Sequence, residues 1–189
     1  MIYIMSMNLG TIWSNKPTIP PVQNNNVRII NNSTPDVNKV ATRSFWGASV
    51  WYFFHTISCR IEPTFYAKNY LFVWNFIKKI CHTLPCPHCQ KHASEYVNKI
   101  HNHQINTKEK LKSVLFNFHN SVNQRTGKQV VGLDILKKYN RANIKQIFDL
   151  FESRFFHSYI GRRQFDDWLK AEVRGKYYEF YNIVRTKFI

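Results

Sequence analysis

Three observations predict an all-α fold for this chain. Apolar residues recur at helical rather than strand spacing through most of residues 44–189. Glycine is scarce, with 6 in 189 residues, which disfavours the many tight turns of a sandwich or barrel. Hydrophobic residues make up 44% of the chain and aromatic ones 16%, enough for a packed core and unlike a disordered segment. The expected architecture is a four-helix up-and-down bundle over residues 41–139, with a short fifth helix and a helical C-terminal extension over residues 140–189.

Residues 1–40 hold Pro17, Pro20, Pro21, Pro35 and the run Asn24-Asn25-Asn26, a poor helix and a poor strand, and read as a mobile or loosely docked N-terminal arm. Thr42 or Ser44 can cap helix one, expected from about Phe45 to Cys59, with Ala48, Trp51, His55 and Cys59 on one side. A turn at Glu62-Pro63-Thr64 leads to helix two, about Phe65 to His82, striped by Tyr70, Val73, Trp74, Ile77, Ile80 and Cys81. Helix three opens at the cysteine motif near residue 86 and carries Cys89, His92, Ala93, Tyr96, Val97 and Ile100 at i, i+3, i+4, i+7 spacing. Helix four, capped by Thr107, is striped by Leu111, Val114, Leu115, Phe118 and Val122 and stops near Gly127. The fifth helix is expected at Leu133 to Tyr139. In the extension, Ile144, Ile147, Phe148, Phe151 and Phe155 form one stripe. Phe165, Trp168 and Leu169 start another, which Gly175 is expected to interrupt before Tyr177, Phe180, Tyr181 and Val184.

The net charge is +16. It is spread evenly, with 12 Lys/Arg against 4 Asp/Glu in residues 41–136 and 12 against 6 in residues 137–189, so no basic tail marks a nucleic-acid arm. The apolar run Met1 to Trp13 lacks a basic n-region and falls short of the roughly 20 residues that span a bilayer. A soluble intracellular protein without membrane contact is expected. All 4 cysteines, Cys59, Cys81, Cys86 and Cys89, fall within one short stretch, unlike the framework of a disulfide-stapled secreted domain.

Pro85-Cys86-Pro87-His88-Cys89 describes a helix that opens on a thiol. Proline suits the first helical position, which puts Cys86 at the N-cap and Cys89 one turn in on the same side. Free N–H groups and the helix dipole there favour a thiolate and a lowered cysteine pKa. The pair reads as a redox-active dithiol. Trp51 and His55 form an i, i+4 pair on helix one, and His119 and Asn123 another on helix four, followed by Gly127-Lys128. An aromatic plane, imidazoles, an amide and a cation converging on a bundle core suit a flat heteroaromatic ligand bearing phosphates. Each of these residues alone has an ordinary packing explanation; their combination with an inward-facing dithiol does not.

The chain resembles the Erv/ALR family of FAD-linked sulfhydryl oxidases, most closely those of large DNA viruses. Trp51-Tyr52-Phe53-Phe54-His55-Thr56 is similar to its W-x-x-x-H-T helix, preceded by Trp46-Gly47 as in many viral members. Leu84-Pro85-Cys86-Pro87-His88-Cys89 is similar to its PCxxC. His119-Asn120-Ser121-Val122-Asn123 with Gly127-Lys128 is similar to its HNxVNxxxGK. The resemblance implies FAD held in the bundle, Cys89 nearest its reactive ring and Cys86 exchanging with substrate. Electrons from a protein dithiol would pass through the pair and FAD to O2, giving H2O2. Trp51, His55, His92, His119, Asn120 and Asn123 carry over as FAD contacts and Lys128 as a phosphate contact. Tyr139 stands near the place where many members stack a tryptophan on adenine.

No cysteine lies before residue 40 or after residue 139, so the shuttle pair of many members has no counterpart there. Direct reaction with a protein dithiol or a small thioredoxin-like carrier is expected. The resemblance also implies a homodimer, and a viral member would act in the host cytoplasm, a virus factory or the virion. Cys59 and Cys81 lack a family role, which leaves open inert packing or a bridge between helices one and two. Two rival readings exist. A flavin-free thioredoxin-like exchange protein needs a strand before the motif, where helix two stands instead. A zinc-binding nucleic-acid module would use Cys81, Cys86, Cys89 and His92, but leaves the HNxVN and GK residues unexplained. Neither zinc nor nucleic acid is expected.

Overall fold

A computed structural model describes residues 42–160 and 166–189. The arm expected over residues 1–40 and the stripe residue Phe165 lie outside the described residues. Six α-helices follow in order: α1 Arg43–Arg60, α2 Pro63–His82, α3 Pro87–Asn98, α4 Lys108–Arg125, α5 Ile144–His157 and α6 Asp167–Val184. Short 3₁₀ segments lie at Asn102–Gln104 and Leu133–Arg141. The described residues form no strand. An isolated antiparallel bridge, Ile61 to Phe188, ties the C-terminal end to the exit of α1.

The helix starts follow local chemistry. At α2 the expected turn is instead the cap: the Glu62 carboxylate accepts from the Thr64 and Phe65 N–H groups at 2.8 and 2.6 Å, and Pro63 takes the first helical position. Thr107 caps α4 by accepting from the Lys110 N–H at 3.2 Å. Asn143 and Asp166 do the same for α5 and α6 at 3.1 and 2.7 Å. Gly127, at φ +66°, supplies the left-handed stop after α4. The fifth helix is 3₁₀ rather than α and runs two residues further than expected, to Arg141. Gly175 does not interrupt α6. Trp168, expected on its apolar stripe, is 73% exposed, because it sits in the first turn of α6, outside the face defined by Val173, Tyr177, Phe180 and Val184.

The core is centred on α1, which packs on α4 and α5, while α2 packs on α3 and α6. Phe53 of α1, 0% exposed, stacks on Phe151 at 4.2 Å and meets Phe148 at 4.9 Å, Phe76 at 6.1 Å and Phe180 at 6.3 Å. Rings from α2, α5 and α6 thus converge on one α1 side chain, and the C-terminal helices share the bundle's core. Cys81 lies in that core, whereas Cys59 lies in a separate small cluster with Leu136 and Tyr139. Both are unpaired thiols. Of the two readings left open for them, packing is the one found.

Candidate active site

The link between α2 and α3 brings the dithiol to the core surface. Cys86 is the N-cap of α3, with Pro87 at the first helical position, and its sulfur accepts from the Cys89 N–H at 3.2 Å. Cys86 is half-buried; Cys89 is 7% exposed. The expected lowering of the thiol pKa is not found at Cys89. Burial, then the neighbouring Cys86 sulfur, pushes Cys89 up, and a hydrogen bond and charge from the Arg43 guanidinium pull it partly back.

Cys89 lines a cleft of about 70 Å³ with Arg43, Trp46, Trp51, Leu84, His92, Phe118 and Arg125 among its walls. Trp51 is the shared wall between this cleft and a stacked aromatic cluster. Its indole lies parallel to the His119 ring, 4.1 Å away and tilted 7°, and meets Phe118 edge-on at 5.1 Å. His55 Nε2 and His119 Nδ1 are 2.9 Å apart, one imidazole donating to the other. Tyr139 packs on His55 at 5.0 Å, and the Lys138 ammonium lies 5.0 Å from the Tyr139 ring.

The sequence-derived residues therefore divide. Trp51, His55 and His119 form one contiguous stack, and His92 lies on the dithiol side of Phe118, 6.2 Å from that ring. Asn120 is engaged with the backbone of Val131, donating to its carbonyl at 3.0 Å and accepting from its N–H at 3.1 Å, so it fixes the loop after α4. Asn123 is buried beside it, its side-chain amide 3.5 Å from the Asn120 carbonyl oxygen. Lys128 is exposed, its charge felt at His119. Cys81, Cys86, Cys89 and His92 form no ligand set: among the described residues no three His, Cys, Asp or Glu side chains are gathered to hold a metal.

Arg43, Arg125 and Lys138 escape the sequence reading, and Trp46 enters it only as part of a motif. The available signal is spacing. Arg43, Gly47, Val50 and Phe54 repeat at i, i+4, i+7, i+11 on α1, and Phe118, Val122 and Arg125 at i, i+4, i+7 on α4, so these side chains share the faces that line the cleft.

Burial, His119 and Lys138 together lower the His55 pKa to about 3, and burial with the charges of Lys138 and Lys128 lowers that of His119 to about 4. Both rings are neutral at working pH. The unfolded chain, whose histidines titrate near 6.5, binds protons the folded chain refuses as pH falls below that value. Stability is then complete above about pH 6.5 and is lost on acidification, by at most about 1.4 kcal/mol per pH unit per histidine. Melting temperatures measured between pH 6.5 and 5, above the carboxylate range, are expected to fall; a flat profile would contradict a neutral pair.

The donor set permits a test of what the site can hold. Trp46 Nε1, His55 Nδ1 and Arg125 Nε are buried and have no hydrogen-bond partner among the described residues. Unpaired buried polar groups are costly and call for a partner. Two of them, the Trp46 and Arg125 N–H donors, line the cleft beside aromatic faces and fit a flat heteroaromatic group whose rim accepts hydrogen bonds.

Comparison with known proteins agrees with the motifs. A protein of Invertebrate iridescent virus 6, provisionally described as an FAD-linked sulfhydryl oxidase, is 32% identical over 101 residues, 49% of this chain and 89% of that relative. One of Invertebrate iridescent virus 3, described in the same way, is 31% identical over 98 residues, 50% of this chain and 65% of its own length. The FAD-linked sulfhydryl oxidase of an African swine fever virus isolate is 30% identical over 107 residues, 54% of this chain and 86% of that protein. No solved structure gives a significant match. The family model described as the Erv1 / Alr family matches residues 48–145, the stretch that holds the dithiol, the Trp51–His119 stack and Lys128. The chain belongs to the Erv1 / Alr family.

Proposed function

We propose that this protein is an FAD-dependent sulfhydryl oxidase that converts protein dithiols to disulfides through Cys86 and Cys89. One observation carries the reading: a dithiol whose first sulfur is accessible and whose second is buried in the wall of an aromatic cleft, beside the Trp46 and Arg125 N–H donors that are unpaired among the described residues. The family and its viral FAD-linked relatives support it.

The exchange steps follow from exposure. In the oxidised pair, a substrate thiolate attacks the Cys86 sulfur, the Cys86–Cys89 bond breaks, and its electron pair leaves on Cys89 as a thiolate. The substrate's second thiolate then attacks its own sulfur in the mixed disulfide and releases Cys86. The substrate departs as a disulfide, and the pair holds two more electrons. Arg43, hydrogen-bonded to Cys89, stabilises the leaving thiolate against the cost of burial. The neutral His55–His119 pair and Trp51 form a rigid stacking wall, with His92 and Asn123 at its flanks and Lys128 as the exposed cation for a phosphate. Asn120 holds the loop that closes this side. Bound FAD supplies the two-electron acceptor for the dithiol and the passage of electrons to O2, giving H2O2.

The partners in this reading are a protein dithiol or a small thioredoxin-like carrier, with the enzyme acting as a homodimer in the host cytoplasm, a virus factory or the virion. No helix among the described residues is long and apolar enough to cross a membrane. Purified protein is expected to be yellow with bound FAD and to consume O2 when given a dithiol. A colourless protein that takes up no flavin and carries stoichiometric zinc would sink the proposal.

A further inference from the structure

The family match ends at residue 145, so α5 beyond its first turn and all of α6 lie outside it. We propose that these C-terminal helices brace the redox turn, with Tyr159 as a positioning residue for Cys86 and Cys89. The phenol of Tyr159, 2% exposed, donates to the carbonyl of Thr83 at 2.8 Å. Thr83 ends α2 three residues before Cys86, and its other groups are also held. Its N–H donates to the Ile80 carbonyl at 3.1 Å and its hydroxyl to the Lys79 carbonyl at 2.8 Å. Lys79, in the same last turn of α2, pairs with Glu172 of α6 at 2.6 Å. From the opposite side, the Gln90 side-chain amide donates to the His82 carbonyl, and the Gln90 N–H to the Cys86 carbonyl at 2.8 Å. The link Thr83–Cys86 is thus anchored by α3 at one end and, at the other, by Tyr159 in the turn after α5 and by Glu172 of α6. Phe155, 5.1 Å away edge-on, keeps the Tyr159 ring in place.

Fixing the Thr83 carbonyl fixes the peptide plane that leads through Leu84, itself a wall of the cleft, to Pro85 and Cys86. A disulfide tolerates a narrow range of Cα separations and torsions, whereas a dithiol does not need them. A looser turn adds conformers to the dithiol state alone and so disfavours the Cys86–Cys89 disulfide.

This inference rests on Cys86 and Cys89 being the reactive pair. Its test equilibrates the full-length protein anaerobically in glutathione buffers and counts the pair's free thiols by alkylation and mass spectrometry. Tyr159→Phe keeps the ring and removes the hydrogen bond, and is expected to shift the equilibrium towards dithiol by at most about tenfold, the ceiling set by the net worth of one buried hydrogen bond. Tyr177→Phe is the control: its phenol donates to the Phe148 carbonyl at 3.2 Å within the same C-terminal segment, away from the turn. It is expected to lower stability and leave the dithiol equilibrium at the wild-type value. Equal shifts in both variants, or none in Tyr159→Phe, would overturn the brace while leaving the oxidase reading intact. A wild-type protein that forms no Cys86–Cys89 disulfide overturns both. Should Tyr159→Phe fail to fold, wild-type hydrogen exchange decides: the Cys89 and Gln90 amides are expected to exchange no faster than those of α5, and early exchange at the turn alone contradicts the brace.

Discussion

Cys89→Ser is expected to fold and bind FAD yet lose dithiol-driven O2 consumption by on the order of 10³-fold or more, as removal of an essential nucleophile does. Serine is nearly isosteric, so the cleft keeps its shape, but a hydroxyl cannot form the disulfide that substrate reduces or carry electrons inward. The accessible Cys86 survives in this variant without a resolving thiol. Offered the substrate in its disulfide form, the Cys86 thiolate is expected to attack it, break that bond and release the substrate's other sulfur as a thiolate, giving a mixed disulfide that mass spectrometry detects and a reductant releases. An oxygen electrode measures the first effect directly; retained turnover would mean that electrons take a route that avoids Cys89.

Phe53→Ala is expected to destabilise the fold by about 3–5 kcal/mol, the range for truncating a fully buried aromatic ring. The ring is 0% exposed and contacts Phe76 of α2, Phe148 and Phe151 of α5 and Phe180 of α6. No single neighbour can collapse into the space without leaving the others, so the cavity term adds to the lost burial. Because those rings come from both the family-matched bundle and the C-terminal helices, wild type and variant should each unfold in one cooperative step. Denaturation followed by circular dichroism tests this, and a separate early transition of the C-terminal helices would contradict a shared core.

Helical spacing made most of the fold legible. The stripes on α2, α4 and α5 name residues that are buried or half-buried, and Thr107, Cys86 and Gly127 mark real helix ends. Pro63 was misplaced because proline signals both a turn and a helix start, and the Glu62 carboxylate that decides between them acts through a geometry no local pattern shows. Trp168 shows the reverse: its hydrophobicity suggests burial, but among the described residues its side of the first turn of α6 is left exposed. At the site, Trp51, His55 and His119 were legible from paired i, i+4 positions. Asn120 reads like a ligand contact, and its engagement with Val131 is not visible in the motif, since an asparagine amide serves either role. The raised Cys89 pKa depends on burial by three other helices' side chains and on Arg43, forty-six positions away along the chain, beyond the reach of the motif that holds the cysteine.

Anaerobic titration of the purified protein with a dithiol decides whether electrons reach FAD through Cys89. In the absence of O2, dithiol is expected to leave as its disulfide while the visible flavin absorbance disappears within about two equivalents per protein, one each for the cysteine pair and the flavin, and air is expected to restore the colour with formation of H2O2. Cys89→Ser is expected to keep its colour under the same treatment. Dithiol oxidation with the flavin absorbance unchanged, or bleaching that survives in Cys89→Ser, would contradict this route.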